Sequence, residues 1–247
     1  PPPPPPPPPP FQAEDGIRDK QICLVGSEMC IRDRDCPVCR GAATRAFLDL
    51  PVEARTYWRC DHCQATFLDP ACLPDPAAER AHYLTHDNRV DDPAYRAFLA
   101  RLATPLLDRL APAPLDGLDY GCGPGPALAH MLREAGHRIA VYDPFFADDP
   151  AVLRGTYDFI TCTETAEHFH DPAAEFDRFD RLLRPGGWLG VMTCFQTDDA
   201  AFRDWHYRRD PTHVVFYKRE TLEVLAKARN WSFECPVKDV AVMRKPN

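Results

Sequence analysis

The stretch 118–126, LDYGCGPGP, decides the fold because it places a glycine-rich turn directly after a short apolar run. Residues 115–120 have the length and apolar character of a buried strand, and residues 127–135 have apolar positions at helical spacing. In α/β proteins, a turn that joins a strand to a helix lies at the carboxyl edge of the sheet, where ligands bind. The sequence therefore predicts a ligand-binding loop over residues 121–125.

The chain beyond residue 113 alternates between strand and helix patterns. The further predicted strands and helices are 138–143, 157–163, 171–183 and 220–229, followed by a closing β-pair over 231–245. Residues 185–194 predict a turn at Pro185 that leads into a strand. This alternation predicts an α/β fold with a doubly wound, mostly parallel sheet.

Three kinds of ligand can be compared for the glycine loop. A phosphate loop of the Walker type needs a lysine followed by serine or threonine, and this loop has no basic residue. The dinucleotide pattern G-x-G-x-x-G would need its third glycine at the position of Pro126. The glycines instead lie at Gly121, Gly123 and Gly125, after the acidic Asp119. An acidic loop without lysine suits a cationic ligand better than a phosphate.

An acidic residue followed by G-x-G-x-G resembles the first motif of the class I S-adenosylmethionine-dependent methyltransferases. The segments YDFITCTETAEHFHDP (157–172) and LLRPGGWLGVMT (182–193) are similar to later motifs of the same family. The resemblance covers roughly residues 113–247 and implies a Rossmann-like methyltransferase sheet that binds S-adenosylmethionine. The residues that it implies for the cofactor are Asp119, Gly121, Gly123, Gly125, Asp143, Thr163 and Glu164.

Asp143 ends the second predicted strand, where a carboxylate can accept hydrogen bonds from both ribose hydroxyls of a nucleoside. Only residues 144–156 separate it from the next strand, whereas the family usually has a helix and an edge strand there. We therefore expect the edge strand to be short or absent. Asp148 and Asp149 are either contacts to adenine or parts of a solvated helix start.

Residues 194–221 lie between the last parallel strand and the final helix, and they are too many for a simple connection. In related enzymes the corresponding insertion forms part of the acceptor pocket. We expect His213 to act as a general base, oriented by Asp210 or Tyr217. His168, beside the cofactor motif, is the second candidate. For both histidines a structural role is the alternative.

The same insertion carries Arg208 and Arg209, which could bind a carboxylate or phosphate of the acceptor or form a solvated basic surface. Trp205 and Tyr207 could stack on the acceptor or pack within a lid.

Four of the eleven cysteines form two C-x-x-C pairs, in DCPVC and RCDHC. A tight turn at each pair can direct two thiolates to one point, and four thiolates match a closed structural zinc site. The predicted Zn²⁺ ligands are Cys36, Cys39, Cys60 and Cys63, within a zinc-ribbon-like unit over residues 35–72. The alternative is that these cysteines are redox-active thiols, or thiols without a function, in a loop.

Residues 1–34 and 73–112 complete the predicted organisation. The first segment begins with ten prolines, which predict an extended, disordered tail. It also resembles translated sequencing-adapter reads, so we expect it not to belong to the natural protein; the alternative is a genuine but unstructured N-terminus. The second segment predicts one or two helices that form a linker or cap, with Pro105 kinking or ending the first part. Residues 113–247 then form the methyltransferase domain.

Composition limits the classes of function. The net charge of −8 disfavours a nucleic-acid binder, and no apolar run is long enough to span a membrane. The resemblance implies a cytoplasmic enzyme that methylates a small molecule, such as a sugar or another metabolite, and the sequence leaves the oligomeric state open. The first alternative is an RNA methyltransferase whose zinc ribbon docks the RNA, but residues 35–72 hold four arginines against five acidic residues. The second is a cofactor-binding or zinc-ribbon protein without catalysis.

Overall fold

The computed structural model describes residues 34–85 and 89–247, so the predicted tail over 1–34 lies outside the described residues apart from Arg34. The described residues belong to one compact unit. Their strands are β1 (Thr44–Leu50), β2 (Arg55–Cys60), β3 (Thr66–Leu68), β4 (Asp116–Tyr120), β5 (Arg138–Tyr142), β6 (Tyr157–Thr163), β7 (Leu183–Met192), β8 (Val215–Phe216), β9 (Ser232–Val237) and β10 (Val240–Arg244). Their α-helices are α1 (Pro76–Tyr83), α2 (Pro93–Leu107), α3 (Ala127–Glu134), α4 (Pro172–Leu182) and α5 (Arg219–Lys227).

The central sheet has six strands in the order β5-β4-β6-β7-β10-β9. Strands β5, β4, β6 and β7 are parallel, and β10 pairs antiparallel with both β7 and β9. The prediction of a mostly parallel α/β sheet with a closing β-pair is therefore confirmed. The expected loss of the edge strand is also confirmed, because residues 144–156, all of them described, add no strand to the sheet.

Helices cover both faces of this sheet, and the side chains of each strand alternate between the two faces. On β10, Val240 and Val242 belong to the apolar cluster of α2 and α3, whereas Ala241 and Met243 belong to the cluster of α4 and α5. This alternation is the two-residue period of a strand. Because both faces are covered, the strand is apolar along almost its whole length.

Helix α2 continues past the position where a proline was expected to kink or end it. Pro105 lies inside the helix, which runs on to Leu107. Leu102 and Leu106, both 0 % exposed, lie before and after Pro105 in one buried cluster, and their packing compensates for the backbone hydrogen bond that proline cannot make. No helix in the described part of the chain has the length and apolar character that crossing a membrane requires.

Strand β7 begins earlier than the sequence predicts. The expected turn around Pro185 is already part of the strand, which starts at Leu183. Gly186 has a φ of +74°, a conformation that glycine adopts without strain. The glycine therefore allows an irregularity within the strand and does not end it.

A second sheet has four antiparallel strands in the order β1-β2-β3-β8. Strand β8 comes from the 194–221 insertion, so the insertion completes the sheet of the cysteine-containing segment. The guanidinium of Arg59, which is 0 % exposed, donates to both carboxylate oxygens of Asp199 at 3.0 and 2.9 Å. Burial raises the pKa of Asp199, but the hydrogen bonds from Arg59 and Lys218 outweigh it and lower the pKa to about 2. The two segments therefore pack as one body.

Candidate active site

The glycine loop follows β4 and contacts the end of β5. Gly121 and Gly123 have φ values of +76° and +61°. A Cβ atom at Gly121 would lie 2.1 Å from Cγ2 of Thr165, so glycine is required at this position. The N–H of Gly123 donates to Oδ2 of Asp143 at 2.9 Å. The loop and Asp143 therefore lie side by side at the carboxyl edge of the sheet.

The Asp143 carboxylate already accepts several backbone hydrogen bonds. Its Oδ1 accepts from the N–H groups of Phe145 and Phe146 at 2.9 and 3.2 Å, in addition to the bond from Gly123 to Oδ2. A carboxylate offers about four lone-pair positions, so about one remains for a ligand. The carboxylate thus has room for one ribose hydroxyl, and a second hydroxyl needs another partner.

A cavity of about 770 Å³ opens at this edge and extends from the glycine loop to the segment that follows β6. Of the residues implied for the cofactor, Gly121, Gly123, Asp143, Thr163 and Glu164 line it. The hydroxyl of Thr163 is buried and has no hydrogen-bond partner in the described part of the chain. Because buried polar groups normally have partners, this hydroxyl indicates a position for a polar ligand atom.

Asp119 and Gly125 are not among the residues that line the cavity. Asp119 is 4 % exposed and accepts a hydrogen bond from the hydroxyl of Thr161 at 2.8 Å. Burial raises the pKa of Asp119 to about 6, although the hydrogen bond from Thr161 acts in the opposite direction. Asp119 therefore supports the loop from inside the sheet and does not face the cavity.

His168 and His213 line the cavity from two separate segments. The Nδ1 atom of His168 donates to the carbonyl of Thr212 at 3.0 Å, and that of His213 donates to the carbonyl of Tyr207 at 2.7 Å. Because a carbonyl can only accept, both rings carry a proton on Nδ1, and the neutral form of each ring has its lone pair on Nε2. The two ring centroids are 4.8 Å apart. Burial lowers the pKa of His213, which favours its neutral form.

The side chains expected to orient His213 do not bond to it. Oδ2 of Asp210 lies 3.9 Å from Nε2 of His213 and instead bonds to Nε2 of His82 at 2.9 Å. Tyr217 is fully buried, and its hydroxyl donates to a backbone carbonyl at 2.9 Å. A backbone carbonyl orients the ring of His213, and such a contact leaves no mark in the sequence.

A further cavity residue, Glu167, was not singled out from the sequence. It is 0 % exposed, and neither of its carboxylate oxygens has a hydrogen-bond partner among the described residues. Burial, followed by repulsion from the Glu167 carboxylate, raises the pKa of Glu164 to about 9. The sequence did contain one indication of Glu167, because this residue directly precedes His168 in the polar segment that follows a buried strand.

Four polar and aromatic residues of the insertion lie outside the cavity lining. Arg208 is buried and bonds to Glu53 at 2.7 Å, while Arg209 is exposed at the surface. Neither arginine lines the cavity, and the exposure of Arg209 fits the alternative of a solvated basic surface. Trp205 and Tyr207 pack against each other with ring centroids 5.1 Å apart, and they also lie outside the cavity lining.

The four predicted metal ligands come together in the β1-β2-β3 segment. The Sγ atoms of Cys36 and Cys63 are 3.6 Å apart, as are those of Cys39 and Cys60, and all four lie within 4.8 Å of one another. Four sulfurs bonded to one zinc ion at about 2.3 Å in a tetrahedron are about 3.8 Å apart. The observed spacing therefore fits a zinc site.

Comparison with known proteins gives one family and several relatives. Residues 92–235 match the profile of a family described as a methyltransferase domain. The biotin biosynthesis bifunctional protein BioCD of Bordetella avium is 31% identical over 153 residues, which cover 53% of this chain and 31% of that protein. The ubiquinone biosynthesis O-methyltransferase of Xylella fastidiosa strain 9a5c is 32% identical over 114 residues, covering 34% of this chain and 45% of that protein. The chain thus spans less than half the length of these curated relatives.

Similar solved structures include a 1,6-didemethyltoxoflavin-N1-methyltransferase of Burkholderia thailandensis with bound 1,6-didemethyltoxoflavin and S-adenosylhomocysteine. It is 20% identical with a TM-score of 0.48, over 78% of this chain and 96% of that chain. The magnesium protoporphyrin IX methyltransferase of Synechocystis PCC 6803 is 13% identical with a TM-score of 0.48, over 68% of this chain and 94% of that chain.

Proposed function

Since the chain belongs to the methyltransferase domain family, we propose that it transfers the methyl group of S-adenosylmethionine to a small-molecule acceptor. One observation carries this proposal. A single cavity joins the glycine loop and Asp143 to the histidine pair, His168 and His213. A cofactor and an acceptor held in one cavity can be aligned for direct attack, and such positioning is the main requirement of methyl transfer.

The residues at the loop end of the cavity fit S-adenosylmethionine. When bound, this cofactor supplies a methyl carbon attached to a positively charged sulfur. The bare backbone of Gly121 and Gly123 permits a close approach of its amino-acid part. Asp143 can accept one ribose hydroxyl, and the unpartnered hydroxyl of Thr163 can bond to a further polar atom. The neighbouring carboxylates favour a cationic ligand.

The charge of the cavity favours a neutral or cationic acceptor. Seven carboxyl groups line it, against one arginine, Arg178. Burial and repulsion from Glu167 raise the pKa of Glu164 to about 9, so this group is uncharged at neutral pH. The other six are Glu79, Asp143, Glu167, Asp171, Glu175 and Asp210. Arg178 is already bonded to the hydroxyl of Tyr120 and to Glu175. An RNA backbone would be repelled here, because its phosphates need basic partners. The relatives named for ubiquinone biosynthesis also support a small molecule over RNA.

We infer that a histidine of the cavity accepts the proton that the acceptor loses during methyl transfer. The lone pair on Nε2 of His213 is free to accept a proton, and its neutral ring is favoured by burial, which lowers its pKa. His168 lies beside it with the same tautomer. The carbonyl contacts hold both rings in place, so an acceptor between them and the cofactor would meet an oriented base.

The cysteine cluster is a proposed structural zinc site. The sulfur spacing supports Cys36, Cys39, Cys60 and Cys63 as the four ligands, which would leave no open coordination position. None of them lines the cavity. Zinc there would stabilise the small β1-β2-β3 sheet and take no part in the chemistry.

The proposal is tested by the release of S-adenosylhomocysteine from the full chain. Hydroxyl- and amine-bearing small molecules, and RNA in parallel, are supplied as acceptors with S-adenosylmethionine, and product is measured by mass spectrometry. We expect turnover with at least one class of small molecule and none with RNA. Methylation of RNA alone would contradict the small-molecule assignment.

A further inference from the structure

We propose that Glu167, His168 and His213 form a binding site for a divalent transition-metal ion at the acceptor end of the cavity. One ligand atom from each of the three lies within 4.8 Å of the other two. Two imidazole nitrogens and one carboxylate form a donor set that holds such ions while leaving positions open for substrate. The site is separate from the cysteine cluster, which has only sulfur ligands.

Both histidines are already arranged as metal ligands usually are. A ligating imidazole donates its second N–H to a carbonyl or carboxylate, which fixes the ring and its tautomer. His168 and His213 each donate from Nδ1 to a backbone carbonyl, at 3.0 and 2.7 Å. Each ring therefore presents the lone pair of Nε2 to the cavity.

The carboxylate of Glu167 gives independent support. It is 0 % exposed and lines the cavity, yet neither oxygen has a hydrogen-bond partner in the described residues. Leaving a carboxylate buried and unpaired is costly, whereas coordination to a cation compensates the charge. Its backbone carbonyl accepts from the N–H of Val214 at 2.9 Å, which ties it to the residue that follows His213.

A direct hydrogen bond between the same groups explains the geometry less well. Oε1 of Glu167 lies 3.9 Å from Nε2 of His168, which is too long for a hydrogen bond. Two ligand atoms that each lie about 2.1 Å from one ion are about 3.0 to 3.6 Å apart at angles of about 90 to 120°, and the observed 3.9 Å is close to this range. The separation therefore fits a shared ion better than a shared proton.

The ion would define the class of acceptor, and this part of the inference rests on the proposed function. A divalent cation with open positions binds an acceptor through oxygen and favours the ionised form of a hydroxyl. The acceptor hydroxyl loses its proton to bulk water, and the oxygen lone pair forms a bond to the methyl carbon. The carbon–sulfur bond breaks with its electron pair on sulfur, leaving neutral S-adenosylhomocysteine. His213 then serves as a ligand, in place of the direct base that it would be without an ion.

The test uses Mn²⁺, because carboxylate and imidazole ligands suit this ion and four thiolates do not. The full chain, with its zinc content recorded, is titrated with Mn²⁺, and the unbound ion is measured by electron paramagnetic resonance. We expect one tight site in the wild type and at least tenfold weaker binding in Glu167→Gln, His168→Ala and His213→Ala. Thermal unfolding of each variant identifies any that fails to fold. His168 is the least buried of the three residues, so His168→Ala should disturb the fold least.

His170→Ala is the matched control. His170 lines the same cavity, but its Nε2 bonds to Glu79 at 3.0 Å, so its removal should leave Mn²⁺ binding unchanged. S-adenosylhomocysteine binding is measured on the same samples. If the cofactor product binds and Mn²⁺ does not, the metal site is wrong and the proposed function stands. If Mn²⁺ binds and the cofactor product does not, the metal site stands and the proposed function is wrong. Equal Mn²⁺ binding by the wild type and the folded ligand variants would also overturn the site.

Discussion

At the scale of single residues, the candidate site depends on buried polar groups whose surroundings the sequence shows only in part. The alternation of glycines was sufficient to predict a bare loop, and Gly121 requires glycine because of Thr165. The same motif does not show which way Asp119 faces. The hydroxyl of Thr161, on a neighbouring strand, holds its carboxylate inside the sheet. The partner of a buried carboxylate is set by sheet order, and the sequence contains no direct signal of that order.

This placement predicts that Asp119→Asn stabilises the protein at neutral and alkaline pH. Burial raises the folded-state pKa of Asp119 to about 6, whereas an unfolded aspartate titrates near pH 3.9. The wild type therefore loses stability as pH rises from about 4 to 6, because the unfolded state releases this proton more readily. The uncharged amide avoids this loss and should add about 2 to 3 kcal/mol to the free energy of unfolding at pH 8.

Urea unfolding of both proteins at pH 4 and pH 8 measures this difference. Near pH 4 the two should differ far less than at pH 8, because the folded-state carboxyl is then protonated. Asp148→Asn serves as the control, since Asp148 is exposed and should change stability little at either pH. A variant less stable than the wild type at pH 8 would show that the charged carboxylate is needed in the fold.

At the scale of elements, the spacing of apolar residues predicted the strands and helices that pack in the central sheet. The strands and helices of the central sheet follow the expected segments, because their apolar residues repeat at two or at about 3.6 residues. Strand β8 was not foreseen. It has only two residues, and its pairing with β3 joins segments that are far apart in the chain. So short a strand has no period to detect, and tertiary contacts alone define it.

The unforeseen pairing connects the cysteine segment to the candidate site. The N–H of Leu68, at the end of β3, donates to the carbonyl of Val214 at 2.8 Å, and the N–H of Val214 donates to the carbonyl of Glu167 at 2.9 Å. Val214 directly follows His213 in the chain. The small sheet therefore helps to hold the acceptor end of the cavity in place.

Cys60→Ser is accordingly expected to lose zinc and to disturb the acceptor end more than the cofactor end. Bound zinc should fall from about one ion per chain to a small fraction, because one thiolate of a closed site is missing. Methyl transfer should fall at least tenfold, while S-adenosylhomocysteine binding changes less, since the glycine loop does not belong to the small sheet. Elemental analysis and calorimetry of the purified variant measure both effects.

Cys72→Ser is the matched control for this change. Cys72 lies near the same sheet, but it is not among the four clustered cysteines. The control should keep its zinc and its activity. Full zinc content in the Cys60→Ser protein would contradict the proposed ligand set.

At the scale of the whole molecule, the cavity combines residues from inside and outside the region that matches the family. The match begins at residue 92, yet Glu79 and Tyr83 of α1 line the cavity. The loop end of the cavity comes from the matched region, whereas its acceptor end also uses α1, which precedes the match. This explains why the family was predictable from motifs and the acceptor was not. The same acidic lining agrees with the net charge of −8 in disfavouring a nucleic-acid partner.

The central claim is that the loop and Asp143 hold S-adenosylmethionine, and calorimetric titration of the full chain with S-adenosylhomocysteine tests it most directly. The wild type should bind at one site, and Asp143→Ala should bind at least tenfold more weakly, a loss of about 1.4 kcal/mol or more. Asp148→Ala should bind like the wild type, because its exposed carboxylate does not line the cavity. No binding by the wild type, or equal binding by the wild type and a folded Asp143→Ala protein, would contradict the claim.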